Sequence, residues 1–170
     1  MGDSYKGFTL IELLVTILVA AIFLTAAVPS YYSFIQNNKV VSITNRLSAS
    51  FSFARSEAVK RGVTVSVCPV ANANYTACGT NWQQGWIVFT DADGNNAIDT
   101  PTDLVKIGEA LPSGMVITAS NTMVSYDGTG FTTTNALTMT IKATGCTGFN
   151  ARTINIATSG RLSVGVIPCN

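Results

Sequence analysis

From Phe8 to Val28 every residue is apolar or a threonine, with the single exception of Glu12. About 20 such residues suffice for a helix to cross the hydrocarbon core of a bilayer. A carboxylate inside such a segment is costly unless a cation or a set of hydrogen-bond donors meets it. The chain must therefore place this segment in lipid or among similar helices, and it must find Glu12 a partner. A plain transmembrane anchor accounts for the length but not for Glu12. A cleavable signal peptide, with TAAVP near residue 26 imitating its cleavage site, fits poorly. Its n-region MGDSYK sets Asp3 against Lys6, Glu12 interrupts the apolar core, and the core exceeds the usual 7–15 residues.

Beyond Pro29 the helical pattern resumes with a different character. Val40, Ile43, Leu47, Phe51, Ala54 and Ala58 follow one another in steps of three and four, which lays one apolar stripe along a helix. A single helix from Phe8 to Arg61 is expected, apolar all round in its first half and on one face in its second. Pro29 lacks the donor for the preceding turn and is a candidate kink; Gly62 is a suitable stop. The stretch 39–61 is basic, with Lys39, Arg46, Arg55, Lys60 and Arg61 against Glu57.

After Gly62 the period shifts to two. Candidate strands are VTVSVC (63–68), GWIVFT (85–90), LVKIG (104–108), MVITA (115–119), MVSYD (123–127), ALTMTIKA (136–143), TINIAT (153–158) and LSVGVI (162–167). Gly, Asn, Asp and Pro clusters separate them, and there is no internal repeat. The predicted architecture is α+β: a long N-terminal helix whose amphipathic half packs on a C-terminal antiparallel β-sheet domain. Its segments are residues 8–34 as the apolar helix, 35–61 as the amphipathic half and 62–170 as a β-rich head.

The four cysteines, Cys68, Cys78, Cys146 and Cys169, form an even set behind an export-type segment, which points to two disulfides. Sequence order suggests Cys68–Cys78 and Cys146–Cys169, one of three possible connectivities. No C-x-x-C and no histidine occur, so structural disulfides are preferred over a thiolate metal site. Without histidine the commonest general base is missing. No Gly-x-Ser-x-Gly or Ser-x-x-Lys signature replaces it. An enzyme is therefore not expected, and neither is a cofactor.

The stretch Gly7-Phe8-Thr9-Leu10-Ile11-Glu12-Leu13 resembles the class III signal of type IV prepilins and type II secretion pseudopilins, a short polar leader ending in Gly followed by a hydrophobic helix with Glu at its fifth position. The resemblance runs through Pro29 and Tyr31-Tyr32. It implies that a prepilin peptidase removes residues 1–7, cutting between Gly7 and Phe8, and methylates the new amine of Phe8. Glu12 then becomes the fifth mature residue, and the Phe8 amine of a neighbouring subunit is a better partner for it than its own, which lies along the same helix; before assembly it stays hydrated near the membrane interface. The implied fold is the pilin lollipop, with a single pass through the bacterial inner membrane and the head in the periplasm. The implied partners are other pilins, the peptidase and the inner-membrane assembly platform.

GWIVFTDADGNNAID, SYDGTGF and ARTINIATSGRL further resemble the GspH/FimT family of minor pseudopilins and minor pilins. The favoured reading is a minor type IV pilin of a tip or priming complex, with a GspH-type secretion pseudopilin, a DNA-binding competence pilin of the FimT type and a major pilin as alternatives. Some FimT-type pilins bind DNA through Gly-Arg-x-Arg. Here Gly160-Arg161 is followed by Leu162-Ser163, with Arg152 the other basic residue nearby in sequence and the β region net acidic. The electrostatic term that drives non-specific binding is thus small, and DNA is the less favoured partner. Asp91, Asp93, Asn95 and Asp99 carry the alternation of a calcium loop, but Gly94 stands fourth rather than sixth and Thr102 holds the twelfth place. An Asx-rich hairpin turn accounts for the same residues and is preferred over a bound ion.

Overall fold

The computed structural model describes residues 7–169, with the side chain of Ala26 excepted. The expected leader residues 1–6 lie outside the described residues. One α-helix, α1, runs from Leu10 to Arg61 with Pro29 inside it. By its contacts the chain divides into two compact units, Met1–Gln36 and Asn37–Asn170.

In the first unit every described side chain from Gly7 to Phe34 is exposed. Among the described residues α1 is the one helix long and apolar enough to cross a membrane. Its threonines do not spoil that surface. The Thr16 hydroxyl donates to the Leu13 carbonyl at 2.8 Å and the Thr25 hydroxyl to that of Ile22 at 2.7 Å, so each polar group is satisfied on its own helix.

In the second unit the stripe read from the sequence is the buried face of the helix: Val40, Leu47, Phe51, Ala54 and Ala58 are fully buried and Ile43 nearly so. The helix ends where Gly62, at φ +68°, donates its N–H to the Ala58 carbonyl at 2.9 Å. That left-handed conformation is one glycine adopts without a Cβ penalty. Eight strands follow: β1 (Val65–Pro69), β2 (Trp86–Thr90), β3 (Leu104–Gly108), β4 (Met115–Ala119), β5 (Val124–Tyr126), β6 (Leu137–Ala143), β7 (Ala151–Ile156) and β8 (Leu162–Ile167).

They form two antiparallel sheets rather than one, in the orders β3-β2-β1-β5 and β4-β6-β7-β8. The chain changes sheet between β3 and β4, between β4 and β5 and between β5 and β6; the second of these changes is at Ser120–Met123. There the Asn121 amide holds the carbonyls of Asn135 and Ala136, while its own carbonyl accepts from the Trp82 indole at 3.3 Å. The inner faces of both sheets meet the helix in one core. It contains Val65, Val67 and Val88 from the first sheet and Leu137, Met139, Ile141, Ile154 and Ile156 from the second. Phe51 and Trp82 pack there with ring centroids 5.9 Å apart.

The two sheets differ on their outer sides. β6 alternates buried and open positions, as expected of a strand with one solvated face. β1 and β2 do not alternate, because the loops 70–84 and 91–103 cover the back of the first sheet. Tyr75, Cys78 and Ile98 from those loops pack on Cys68, Ile87 and Phe89. Disulfides join Cys68 to Cys78, with Cα atoms 5.6 Å apart, and Cys146 to Cys169, with Cα atoms 5.8 Å apart. The first ties one covering loop to β1. The second fastens the segment after β8 to the loop before β7.

Candidate functional site

At the N-terminal end the helix is closed by a reciprocal pair. The Glu12 carboxylate accepts from the Thr9 backbone N–H at 2.8 Å and from the Thr9 hydroxyl at 2.7 Å, while the Glu12 N–H donates to the Thr9 hydroxyl oxygen at 3.3 Å. With α1 beginning at Leu10, Thr9 is the N-cap and Glu12 the third helical residue, which is the geometry of a capping box. Sequence reasoning sought Glu12 a partner on another chain and missed this one. The signal was present as Thr9-x-x-Glu12 ahead of an apolar run. Gly7 and Phe8 lie just outside the helix and are exposed, so the junction expected to be cut is open.

In the second unit the basic segment 39–61 is largely engaged. Glu57, itself buried, accepts from Arg61 at 2.7 Å and Lys60 at 3.5 Å. The Arg61 hydrogen bond is the main cause holding its carboxyl below the ordinary range. Arg46 pairs with Glu109 at 3.2 Å and lies 5.4 Å over the Trp86 ring. Arg55 donates through Nε to the Gly130 carbonyl at 2.9 Å and through Nη2 to that of Ser159 at 3.2 Å.

Arg55 thereby joins two turns, residues 127–131 and 157–160. They meet closely: a Cβ on Gly160, which sits at φ +74°, would run into the Gly130 carbonyl. Beside them lies a groove of about 670 Å³ lined by Arg55, Lys60, Tyr126, Arg161 and apolar neighbours. Burial pushes the Tyr126 hydroxyl well above its ordinary value, with Arg55 opposing, so the ring stays neutral.

The two arginines considered for DNA are not brought together. Arg152 opposes Val166 in the β7–β8 ladder, five positions along β8 from Arg161, which at ~3.3 Å per residue sets them about 16 Å apart. Arg152 is turned instead to Asn37 at 3.3 Å and to the carbonyls of Ala151 and Phe149. Arg161 is exposed at the groove. Among the described residues no three Cys, Asp or Glu side chains are gathered as a metal site. The stretch from Asp91 to Asp99 is a turn in which Asp93 accepts from the N–H of Asn95 and Asn95 from that of Ala97.

The family model described as Type II transport protein GspH matches residues 44–160, the end of the helix from Thr44 and the sheets up to the start of β8. The chain belongs to the GspH family. A second model, the prokaryotic N-terminal methylation motif, matches residues 3–28. No curated protein matches this GspH-family chain by sequence. Among solved structures it is similar to the type IV minor pilin FimU of Pseudomonas aeruginosa (strain PAO1) in two crystal forms. The P21 form has a TM-score of 0.62 at 19% identity, covering 78% of this chain and 92% of that one. The P65 form has a TM-score of 0.56 at 19% identity, covering 75% and 91%. In family and motif the chain is a GspH protein with an N-terminal methylation motif, and in fold it is similar to a type IV minor pilin. The motif and the apolar helix fit a membrane-anchored pilin.

Proposed function

We propose that the GspH-family chain is a minor subunit of a type IV pilus, part of its tip or priming complex, and has no catalytic activity of its own. It spans the inner membrane once through residues 8–34, with the head in the periplasm. The peptidase cuts between Gly7 and Phe8 and methylates the Phe8 amine. One observation carries this reading: a methylation motif over residues 3–28 overlaps a helix whose described side chains are exposed from Leu10 to Phe34. An apolar surface of that length is stable in lipid or against like helices, not in water.

Before assembly the capping box satisfies Glu12 locally, which lowers the penalty of carrying a carboxylate at the membrane surface. After cleavage the Phe8 amine supplies a cation to a neighbouring subunit, and Glu12 of that neighbour receives it. Pairing a carboxylate with an amine of the next subunit sets axial register, because a mismatched register leaves both charges buried and unpaired. The description of the matching family model favours a second reading, a type II secretion pseudopilin. Deleting the gene separates the two: loss of surface filaments with secretion intact supports the pilin, and the reverse supports the pseudopilin.

The test of the site uses two substitutions. Glu12→Ala removes both the charge and the capping acceptor. Glu12→Gln keeps an acceptor for Thr9, since capping boxes take either residue, and removes only the charge. Both variants should still be cut at Gly7-Phe8, read by intact mass as loss of residues 1–7 and gain of one methyl. Both should drop out of the sheared-filament fraction. Wild-type incorporation of Glu12→Gln would refute the pairing for an internal subunit and leave Glu12 a helix cap; for a subunit at the extreme tip, which has no neighbour ahead of it, the same result marks its position.

A further inference from the structure

We propose that the loop between β2 and β3 is a calcium site, built on Asp91, Asp93, Asn95 and Asp99; this stands independently of the pilin reading. Its decisive feature is Asp91. That residue is 2% exposed, and its Oδ1 is buried with no hydrogen-bond donor among the described residues. The other oxygen of the same carboxylate, Oδ2, accepts the backbone N–H of Asn96 at 3.1 Å, which anchors the group to the loop. An ionised carboxylate oxygen left bare in the interior is unfavourable, and a cation entering from the loop would meet it.

The outer part of the loop presents the matching half. The Asn95 side-chain nitrogen lies 2.9 Å from Asp93 Oδ2, 3.2 Å from Asp99 Oδ1 and 3.1 Å from Asp99 Oδ2. An amide has two hydrogens to offer three carboxylate oxygens, whereas a divalent ion satisfies all of them. Taken from Asp91 as the first position, the donors fall at one, three, five and nine, the alternation of oxygen ligands in a calcium loop. The sixth residue, Asn96, has φ +62°, although the glycine expected there is displaced to position four. No lysine or arginine occurs between Arg61 and Lys106.

No three carboxylates already converge among the described residues. The ion must therefore draw Asp91 and the outer pair together while the Asn95 amide turns its oxygen inward. Calcium tolerates such irregular, flexible oxygen sets; magnesium, which demands near-ideal octahedral geometry, does not.

The experiment titrates the full-length protein in detergent micelles, first stripped with EGTA, with calcium chloride by calorimetry. One calcium per chain is expected, with a dissociation constant of roughly 0.1–1 mM, as in extracellular modules. Asp93→Asn/Asp99→Asn should weaken it by at least about tenfold, while the melting temperature in EGTA stays at the wild-type value because both side chains are exposed. Asn95→Ala, a second variant that leaves every carboxylate in place, should weaken it as well. Three results would each overturn the proposal: no binding up to about 10 mM calcium, calcium binding untouched by both variants, or magnesium binding as tightly as calcium.

Discussion

Arg55→Met isolates the polar staple of the head, because methionine keeps most of the aliphatic stem and deletes the guanidinium. Two hydrogen bonds disappear, from Nε to the Gly130 carbonyl at 2.9 Å and from Nη2 to the Ser159 carbonyl at 3.2 Å. A bond from a charged donor contributes about 1.5–3 kcal/mol when shielded. The Gly130 bond is partly buried and belongs in that range, whereas the Ser159 bond is exposed and contributes under about 1 kcal/mol. The expected loss is about 2–3 kcal/mol. Urea unfolding followed by tryptophan fluorescence reads it directly, since Trp82 and Trp86 are both buried in this unit. With a slope of about 1–3 kcal/mol per molar urea the midpoint should fall by about 0.7–3 M. Arg55→Lys should recover only part of the loss, because an ammonium cannot reproduce the fork that reaches two carbonyls. A midpoint change corresponding to less than about 0.5 kcal/mol for Arg55→Met, at unchanged slope, would refute the staple.

Replacing both cysteines of a pair by alanine should destabilise the head according to the loop each bridge closes. In the chain-entropy model the separation of 10 residues for Cys68–Cys78 corresponds to about 2.7 kcal/mol and that of 23 for Cys146–Cys169 to about 3.4 kcal/mol; an unchanged urea midpoint in either double variant would contradict this. The acid limb of stability should depend on Asp127, whose carboxyl is held below its ordinary 3.8, first by the Thr129 hydroxyl and then by backbone N–H groups including that of Phe131. Because its folded value lies below its unfolded one, the contribution is complete above about pH 4 and is lost as pH falls through the folded value. Melting temperatures from pH 7 to 3 should therefore drop less steeply below pH 4 in Asp127→Asn than in wild type, and coincident acid limbs would exclude the effect.

Much of the head was legible because its strands carry their own punctuation. All eight candidate strands exist, with bounds shifted by a residue or two in several. β7 begins at Ala151 and stops at Ile156, not at Thr158, because the Ala157 N–H closes a turn on the Arg161 carbonyl and the Thr158 carbonyl accepts from Thr132. Distribution of the strands over two sheets was not legible. Periodicity says which face of a strand is apolar, but β4 and β5 are neighbours in sequence and members of different sheets, and that choice is made by Asn121 reaching carbonyls 14 and 15 residues away. The double burial of β1 and β2 left a trace in VSVCP and WIVFT, whose near-continuous apolar character is the mark of strands covered on both faces.

The functional residues divide along the same line. Glu12 could be singled out from sequence because a charge stands alone in an apolar run, and its local role as a cap could have been read from Thr9 three residues before it. Arg55 could not. Its acceptors are backbone carbonyls 75 and 104 residues away, and a carbonyl belongs to every residue, so no side-chain pattern marks it. For the same reason Arg152 and Arg161 were grouped by nearness in sequence, although a β-hairpin carries residues that flank its strands to opposite ends. Asp91 falls between these cases. Its spacing to Asp93, Asn95 and Asp99 is written in the sequence, but the feature that distinguishes a cation loop from an ordinary Asx turn is a carboxylate oxygen buried and bare behind the loop. That depends on β1 and β2 holding the start of the loop inside, where the Asp91 N–H donates to the Thr64 carbonyl at 2.9 Å and water is excluded.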